Sequence, residues 1–251
     1  MTINQILANK LLINFDKTNY VIFKTRNKRI DESAIHISVD GKEIKKCNSV
    51  KFLGIYIDCD LTWKNHINYI SCKISRVIGV INRLKHLLPI RVLVNLYNTM
   101  ILPDLNYCII LWGGCASYLF NKVFVLQKKV VRITTNSSYN AHTDKLFVKL
   151  NILKLEHIYE LSVTSFMFLY MKNALPSCFN NYFVSNKTIN TYTTRNSEKI
   201  YIPTTKYNFS RTIIRYKGPV MWNNLSESLK NSPSLSSLKR NFKMKYLNPL
   251  K

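Results

Sequence analysis

The spacing of apolar residues changes near residue 60, and this change constrains the fold more than any other feature of the chain. From Leu61 to Leu88 the apolar residues recur every three or four positions, the period of one face of an α-helix. The pattern predicts one helix of about seven turns. Asp60 is predicted to cap it, because a carboxylate before a helix accepts hydrogen bonds from the first free N–H groups. The apolar stripe consists of Ile67, Ile70, Ile74, Val77, Ile78, Ile81, Leu84 and Leu88.

The first 60 residues favour short strands instead. A helix over residues 3–13 is predicted first, followed by a β-type run over residues 19–24. Asp40-Gly41 is a strong signal for a hairpin turn, so the runs on either side of it are predicted to pair in antiparallel fashion. Residues 50–57 are almost entirely apolar and are predicted to form one strand that is covered on both faces.

Helical patterns continue after residue 88 until the composition changes near Pro176. Beyond that point Asn, Ser, Thr and Lys dominate, which predicts a loosely structured basic extension. The chain is therefore predicted to be α+β, with a small helix-plus-antiparallel-sheet domain at 1–60, an all-helical domain at 61–175 and the extension at 176–251. The later predicted elements are a helix Ile90–Leu102 stopped by Pro103, a short apolar element Tyr107–Trp112, and helices Leu119–Thr134, His157–Lys172 and Leu235–Leu247.

The chain is strongly basic, and most of its charge lies after residue 60. It has 37 Lys and Arg against 13 Asp and Glu, a net charge of +24. Residues 1–60 hold 10 basic and 7 acidic side chains, whereas residues 61–251 hold 27 and 6. Such an excess predicts attraction to a polyanion, mainly through the later part of the chain. A coding sequence rich in A and T also favours Lys, Asn and Ile, and this is a second explanation for part of the charge.

The composition predicts an intracellular protein of the cytoplasm or nucleus, not a secreted or membrane protein. A hydrophobic fraction of 47% is too high for a disordered basic tail. No stretch matches the roughly 20 apolar residues of a membrane span, and no signal-peptide pattern opens the chain. The six cysteines include no C-x-x-C pair, so reduced and mostly buried thiols are expected.

Catalytic and metal chemistry has little support in the residue pattern. Asp58-x-Asp60 could face one metal from a strand end, but a strand end and a helix cap explain the same pair. His142-x-Asp144 with His157 could supply an iron triad, yet no run of short strands surrounds these residues. Glycine-rich phosphate loops and nucleophile elbows are absent from the sequence. We therefore predict no metal site.

Basic side chains that lie away from the apolar stripes of two helices are the candidate binding residues. Few acids accompany them, so the pairing that usually balances a charged helix face is missing. Such a face favours RNA or DNA, whose phosphates release counterions to Lys and Arg. The candidates are Lys73, Arg76 and Arg83 on the first helix, and Lys122, Lys128, Lys129 and Arg132 on the helix at 119–134.

Four segments together resemble the reverse transcriptase of jockey-like non-LTR retrotransposons, from the end of the palm through the thumb and the region beyond. The resemblance covers most of the chain, and the string from Phe52 to Ile67 is its most specific part. The segments are residues 9–23, with Lys17-Thr18-Asn19-Tyr20; residues 50–67, with Phe52-Leu53-Gly54 and Leu61-Thr62-Trp63-Lys64; residues 96–132, with Pro103, Trp112-Gly113 and Gln127-Lys128-Lys129; and residues 194–223, with Gly218-Pro219 and Trp222-Asn223.

The resemblance implies an RNA-directed DNA polymerase that is truncated and lacks its catalytic centre. In this family an aromatic-Ala-Asp-Asp turn precedes the first of these segments, and the present sequence has none. The fingers, the first palm aspartate and the endonuclease domain are also missing. Lys17 matches a palm position proposed to protonate pyrophosphate, but it has no active site to serve. Full-length members use Mg²⁺, and no cofactor is expected in this chain.

The resemblance implies that the chain retains a primer-grip-like hairpin and a thumb-like helical domain. It also implies residual binding of template and primer. It adds Trp63 and Lys64, at the start of the thumb, to the candidate nucleic-acid-binding residues. The alternative is a helical interaction protein without a nucleic-acid role, whose charge is codon bias. The sequence does not indicate an oligomeric state.

The stretch 50–112 also resembles a small N-terminal domain family named for an AlkB-like alkylated-DNA repair protein. An iron triad, a glycine-rich cofactor loop and a β-sandwich would be needed for dioxygenase or methyltransferase activity. The sequence pattern supports none of the three, so that activity is not expected.

Overall fold

A computed structural model of the chain describes residues 14–15, 17–24, 35–39, 41–189, 196–207 and 209–247. The chain divides into two compact units, Met1–Tyr69 and Ile70–Lys251. Helices predominate and the strands form small two-stranded sheets, so the α+β prediction is confirmed. The helix predicted over residues 3–13 lies outside the described residues.

The described strands of the first unit form three separate pairs. β2 and β3 form the antiparallel hairpin that was predicted around Asp40-Gly41. β1 and β4, however, pair in parallel, which corrects the expectation of an antiparallel sheet. The strands are β1 Asn19–Tyr20, β2 Ser38–Val39, β3 Lys42–Glu43, β4 Lys45–Lys46, β5 Ser49–Phe52 and β6 Ile55–Asp58.

The apolar run 50–57 is a hairpin, β5 and β6, and not the single covered strand predicted from its composition. Leu53 and Gly54 both adopt the left-handed conformation, which Gly supplies readily, and they reverse the chain. Phe52 and Leu53 at the tip are 59% and 74% exposed. An unbroken apolar run carries no alternation that marks a turn, so the pattern could not show the reversal.

The first long helix begins later than predicted, because an aspartate holds the chain in a turn before it. One carboxylate oxygen of Asp58 accepts bonds from the Thr62 backbone N–H at 2.7 Å and the Thr62 hydroxyl at 3.0 Å, and the other from the Trp63 N–H at 2.8 Å. Leu61 and Trp63 have positive φ angles, so the helix starts only at Lys64. The predicted cap, Asp60, is therefore not the residue that precedes the first turn.

The helices within the described residues, apart from short 3₁₀ turns, follow the sequence in this order. They are α1 Lys64–Leu84, α2 Ile90–Leu96, a π-helical segment Tyr97–Ile101, α3 Leu102–Asn106, α4 Ile109–Trp112, α5 Ser117–Thr134, α6 Asp144–Lys149, α7 Leu155–Met171, α8 Asn186–Ile189, α9 Ile214–Asn223, α10 Glu227–Lys230 and α11 Leu235–Leu247.

Pro103 does not stop the second helix, contrary to prediction. The backbone widens into a π-helix in which the Leu102 N–H bonds to the Tyr97 carbonyl, and Pro103 then lies in the first turn of α3. A proline in the first turn of a helix costs little stability, because an N–H group at that position would have no hydrogen-bond partner within the helix. The widened turn places Tyr97 and Ile101 in the core.

α7 is central to the second unit, where it packs against α3, α4, α9 and α11. The predicted loosely structured extension is therefore wrong for α9 and α10, whereas the helix predicted at Leu235–Leu247 is α11. Trp222 on α9, and Leu238 and Phe242 on α11, are buried. Gly218 makes the approach of α9 possible, since a Cβ there would lie 2.6 Å from the Met167 sulfur of α7.

A side-chain amide links α9 to the segment before it. Asn223 accepts a hydrogen bond from the Ile200 N–H at 3.1 Å, and its own NH₂ donates to the Ile200 carbonyl at 2.8 Å. Asn223 thus pairs with one residue as a neighbouring β-strand would. The Gly-Pro-x-x-Trp-Asn motif therefore combines a close approach, a buried ring and a backbone clamp.

One buried glutamine connects three parts of the helical core. The NH₂ of Gln127 donates to the Tyr97 hydroxyl at 2.8 Å and to the Leu153 carbonyl at 2.9 Å. Its carbonyl accepts the Leu155 N–H at 2.8 Å, where α7 begins. Gln127 is 1% exposed, so water cannot replace these bonds.

We predict that Gln127→Met destabilises the protein by about 2–4 kcal/mol, because three buried polar groups lose their partner. Tyr97→Phe removes only one of these bonds and should cost about 1 kcal/mol. Urea denaturation of the three proteins measures the difference. Equal losses for the two variants would contradict the network.

A second prediction concerns pH. His66 is buried, and burial lowers its pKa from 6.5 to about 4. Between about pH 6.5 and about pH 4 the unfolded chain therefore binds a proton at this ring and the folded chain does not. The free energy of unfolding falls as the pH falls through this window. The free energy of unfolding decreases by at most about 3 kcal/mol over this window.

His66→Gln should flatten the pH dependence over this window, whatever its effect on absolute stability. His86→Gln, which changes an exposed histidine, is the matched control and should retain the wild-type slope. Thermal denaturation from pH 4 to pH 7 provides the measurement. If the His66 variant keeps the wild-type slope of melting temperature against pH, His66 is not the group that causes the pH dependence.

Candidate nucleic-acid interface

Two neighbouring clefts run between α1 and α5 in the second unit. The first, of about 670 Å³, is called the Arg76 cleft, and the second, of about 410 Å³, the Tyr139 cleft. They share Ser75. The Arg76 cleft is lined by Ser71, Cys72, Ser75, Arg76, Asn121, Lys122, Val125 and Leu126, and the Tyr139 cleft by Ser75, Ile78, Gly79, Asn82, Lys85, Lys129, Arg132, Ile133, Ser137 and Tyr139.

The clefts exist because one face of α1 carries small side chains. Ser71, Ser75 and Gly79 follow each other at intervals of four, so they lie on one face of the helix. A Cβ added at Gly79 would meet no atom within 4 Å, which shows that the space beside it is open. Small side chains at these positions leave the space that a Leu or Ile would fill.

The clefts are basic. Arg76, Lys85, Lys129 and Arg132 line them, and Lys122 adds a further ammonium group. Among the described residues that line either cleft there is no carboxylate, and none of those first four cations forms an ion pair within the described part of the chain. Like charges that converge on one cleft repel each other, and a bound polyanion relieves that repulsion.

The structure brings four of the basic residues proposed from the sequence to these clefts: Arg76, Lys122, Lys129 and Arg132. It adds Lys85, which the sequence reasoning missed because it follows Ile78 and Ile81 at helical spacing and so lies beside the apolar stripe, whereas the candidates were taken from residues away from that stripe. A signal was present, since Lys85 follows Asn82 and Ser75 at helical spacing on the small-residue face.

Three proposed residues lie elsewhere. The Lys73 ammonium lies 2.6 Å from an Asp104 carboxylate oxygen, so this charge is largely compensated. Lys128 lies with its ammonium 4.2 Å from the centre of the Phe124 ring and does not line the clefts. Arg83 is exposed on α1 and is likewise absent from their linings.

Trp63, Lys64 and Lys17 belong to the first unit. Trp63 precedes α1, its N–H bound to Asp58 and its ring edge-on to His66 at 6.5 Å. Lys64 opens α1 with an exposed side chain. Lys17 is exposed in a turn, its N–H held by the carbonyl and side chain of Asn14.

A loop beside the Tyr139 cleft is fastened by Arg132. The Arg132 Nε–H donates to the Ala141 carbonyl at 2.8 Å, and the Arg132 carbonyl accepts the Ser137 N–H at 2.9 Å. The Ala141 N–H closes a turn on the Ser138 carbonyl at 3.1 Å. The tip of this turn carries Tyr139, which is 86% exposed.

The alternative metal ligands are engaged in other contacts. Both oxygens of Asp58 accept hydrogen bonds from the turn before α1. Lys154 lies 3.0 Å from Asp144 and lowers the pKa of that carboxyl by its hydrogen bond and charge. His157 stacks on the Tyr246 ring at 3.8 Å, and burial lowers its pKa. In the described ranges, no group of three or more His, Cys, Asp or Glu is arranged to hold a metal ion.

The six cysteines are free thiols, but the expectation that most are buried is wrong. Cys72 and Cys178 are exposed, and the other four are only partly covered. Of the helices that the structure describes, none is both long and apolar enough to cross a membrane.

Two curated relatives match part of the chain. The RNA-directed DNA polymerase from mobile element jockey of Drosophila melanogaster is 29% identical over 147 residues, which cover 57% of this chain and 16% of the relative. The corresponding polymerase of Drosophila funebris is 25% identical over 122 residues, which cover 47% of this chain and 13% of the relative. The chain is similar to part of the jockey RNA-directed DNA polymerases. The resemblance predicted from the four sequence segments is thereby confirmed.

The jockey relatives are much longer than the match, since the chain spans less than one fifth of the length of either. No family model matches the chain, so the AlkB-like resemblance of residues 50–112 stays a prediction. No solved structure matches it either.

Proposed function

We propose that this chain is a reverse-transcriptase-related protein that binds RNA or DNA through the Arg76 and Tyr139 clefts, as a thumb domain holds template and primer. The observation that carries this proposal is the convergence of Arg76, Lys85, Lys129 and Arg132, which form no ion pair within the described part of the chain, on two neighbouring clefts between two helices. The distant relationship to RNA-directed DNA polymerases supports nucleic acid as the polyanion. This role belongs to the cytoplasm or nucleus, where such polymers occur.

The physical basis of binding is the release of counterions. Each ammonium or guanidinium group that neutralises a phosphate frees condensed cations, so affinity falls steeply with salt. Phosphate contacts carry little sequence information, so binding should tolerate sequence changes. Trp63 and Lys64 stay candidate contacts within the first unit.

Polymerisation is not part of the proposal, because the described carboxylates do not fit a Mg²⁺ site. Asp58 is bound to backbone N–H groups, Asp104 to Lys73 and Asp144 to Lys154. A two-metal site needs carboxylates that converge on the same ions, and those described lie in separate contacts. We therefore derive no step of nucleotide transfer from this chain.

We expect binding of a labelled 20-nucleotide RNA or DNA at low salt, with affinity falling as salt rises. In the cleft pair variant, Arg76→Glu with Lys129→Glu, the slope of log K against log salt should become shallower by about 1.4–1.8. Filter binding or fluorescence anisotropy from 25 to 200 mM salt measures this slope.

The outer pair variant, Arg83→Glu with Lys128→Glu, is the matched comparison. It makes the same change in net charge on the same two helices but outside the clefts, so its slope should change less. Equal effects of the two pairs would show that diffuse charge, not the clefts, binds the polymer. A wild-type protein without affinity at 25 mM salt would refute the proposal and favour the helical interaction protein.

We also expect no primer extension by this chain on an RNA template with Mg²⁺ or Mn²⁺. The supporting observation is the dispersal of the described carboxylates. Incorporation of labelled nucleotides that persists after repurification and is absent from a mock-purified control would contradict this expectation.

A further inference from the structure

Tyr139 is an aromatic side chain that the fold displays to solvent on a fastened loop. At 86% exposure it is the most exposed of the large apolar and aromatic side chains in the described residues. The loop is held at Ser137 and at Ala141, both by Arg132, and is closed by the Ser138–Ala141 turn. The backbone that carries the ring is therefore fixed before any ligand arrives.

The surroundings of the ring are those of a nucleotide site. Lys85, Lys129 and Arg132 line the same cleft as Tyr139 and supply cations for phosphate. The bond to Ala141 uses one of the five N–H donors of the Arg132 guanidinium. Asn82 adds an amide that can donate to or accept from the edge of a base.

We propose that the Tyr139 cleft binds single-stranded RNA or DNA, with one base stacked on the Tyr139 ring and its flanking phosphates on Lys85 and Lys129. The inference rests on the proposed function and adds the form of nucleic acid that this site takes. An exposed aromatic beside a basic groove is the combination by which proteins bind single strands without sequence preference.

A single strand fits the site better than a duplex for two reasons. The bases of a duplex stack on each other, so none is available to the Tyr139 ring without unpairing. The cleft volume of about 410 Å³ lies in the range of pockets for small ligands, so it holds a nucleotide-sized group and not a double helix.

The test compares a labelled 12-nucleotide oligothymidylate with a 12-base-pair DNA duplex, by anisotropy at several salt concentrations. Tyr139→Ala should weaken oligothymidylate binding about ten-fold at every salt concentration, because stacking does not depend on counterions. Tyr139→Phe retains the ring and should bind within about two-fold of wild type. Duplex binding should change little in either variant.

Gly79 provides a second, independent test. Gly79→Leu places a side chain in open space inside the cleft, so it should reduce oligothymidylate binding at least ten-fold without lowering the melting temperature. Gly79→Ala adds only a methyl group and improves helix propensity, so it should bind as wild type does. Tyr207→Ala removes another exposed tyrosine, one outside the cleft lining, and should also bind normally.

The outcomes separate this inference from the proposed function. Absence of binding to both probes at 25 mM salt refutes the proposed function itself. Binding to both probes with Tyr139→Ala and Gly79→Leu indistinguishable from wild type leaves the basic clefts in place and overturns the single-strand site. Equal loss of duplex and oligothymidylate binding in these variants also overturns it.

Discussion

The arrangement of the helical unit depends on the buried amide of Gln127. Its three hydrogen bonds join the π-helical segment, α5 and the start of α7 in an apolar interior where no water substitutes for them. These bonds fix the rotation of α5 about its own axis. Lys129 follows Gln127 by two residues, which corresponds to a rotation of about 200° around the helix. Lys129 therefore faces away from the core, into the Tyr139 cleft. The proposed binding surface is therefore positioned by hydrogen bonds on the opposite side of the same helix.

The long periodic helices could be predicted from the sequence, because a helix with one buried face must repeat its apolar residues every three or four positions. α1, α5, α7 and α11 lie within four residues of their expected limits. The errors concern features without such a repeat: the hairpin inside residues 50–57, the turn held by Asp58 before α1 and the π-helical segment before Pro103. Each depends on backbone geometry or on a contact that composition does not encode. The packing of α9 was missed because it rests on Gly218 and on a bond between residues 23 positions apart.

Most of the basic residues of the candidate site could be predicted from the sequence. Which of them line the clefts could not. A helical wheel places Lys73 and Arg76 near each other on α1, yet only Lys73 meets Asp104, which lies 31 residues away. Adjacent Lys128 and Lys129 separate because one lies over Phe124 and the other lines a cleft. The space of the clefts comes from Ser71, Ser75 and Gly79, which are small and uncharged, so a search for basic side chains does not select them. A basic helix becomes a site only where its partner helix leaves room.

The amide clamp between Asn223 and Ile200 has a consequence for how this protein can change over evolutionary time. The clamp fastens the segment before α9 at Ile200, and backbone hydrogen bonds to Val184 and Asn186 fasten it at Tyr201 and Lys199. These bonds lie at residues 199–201, so the chain that follows Tyr201 can gain or lose residues at small entropic cost while α9 stays in place. Relatives of this protein should therefore vary in length between Tyr201 and Tyr207 more freely than in sequence at Asn223.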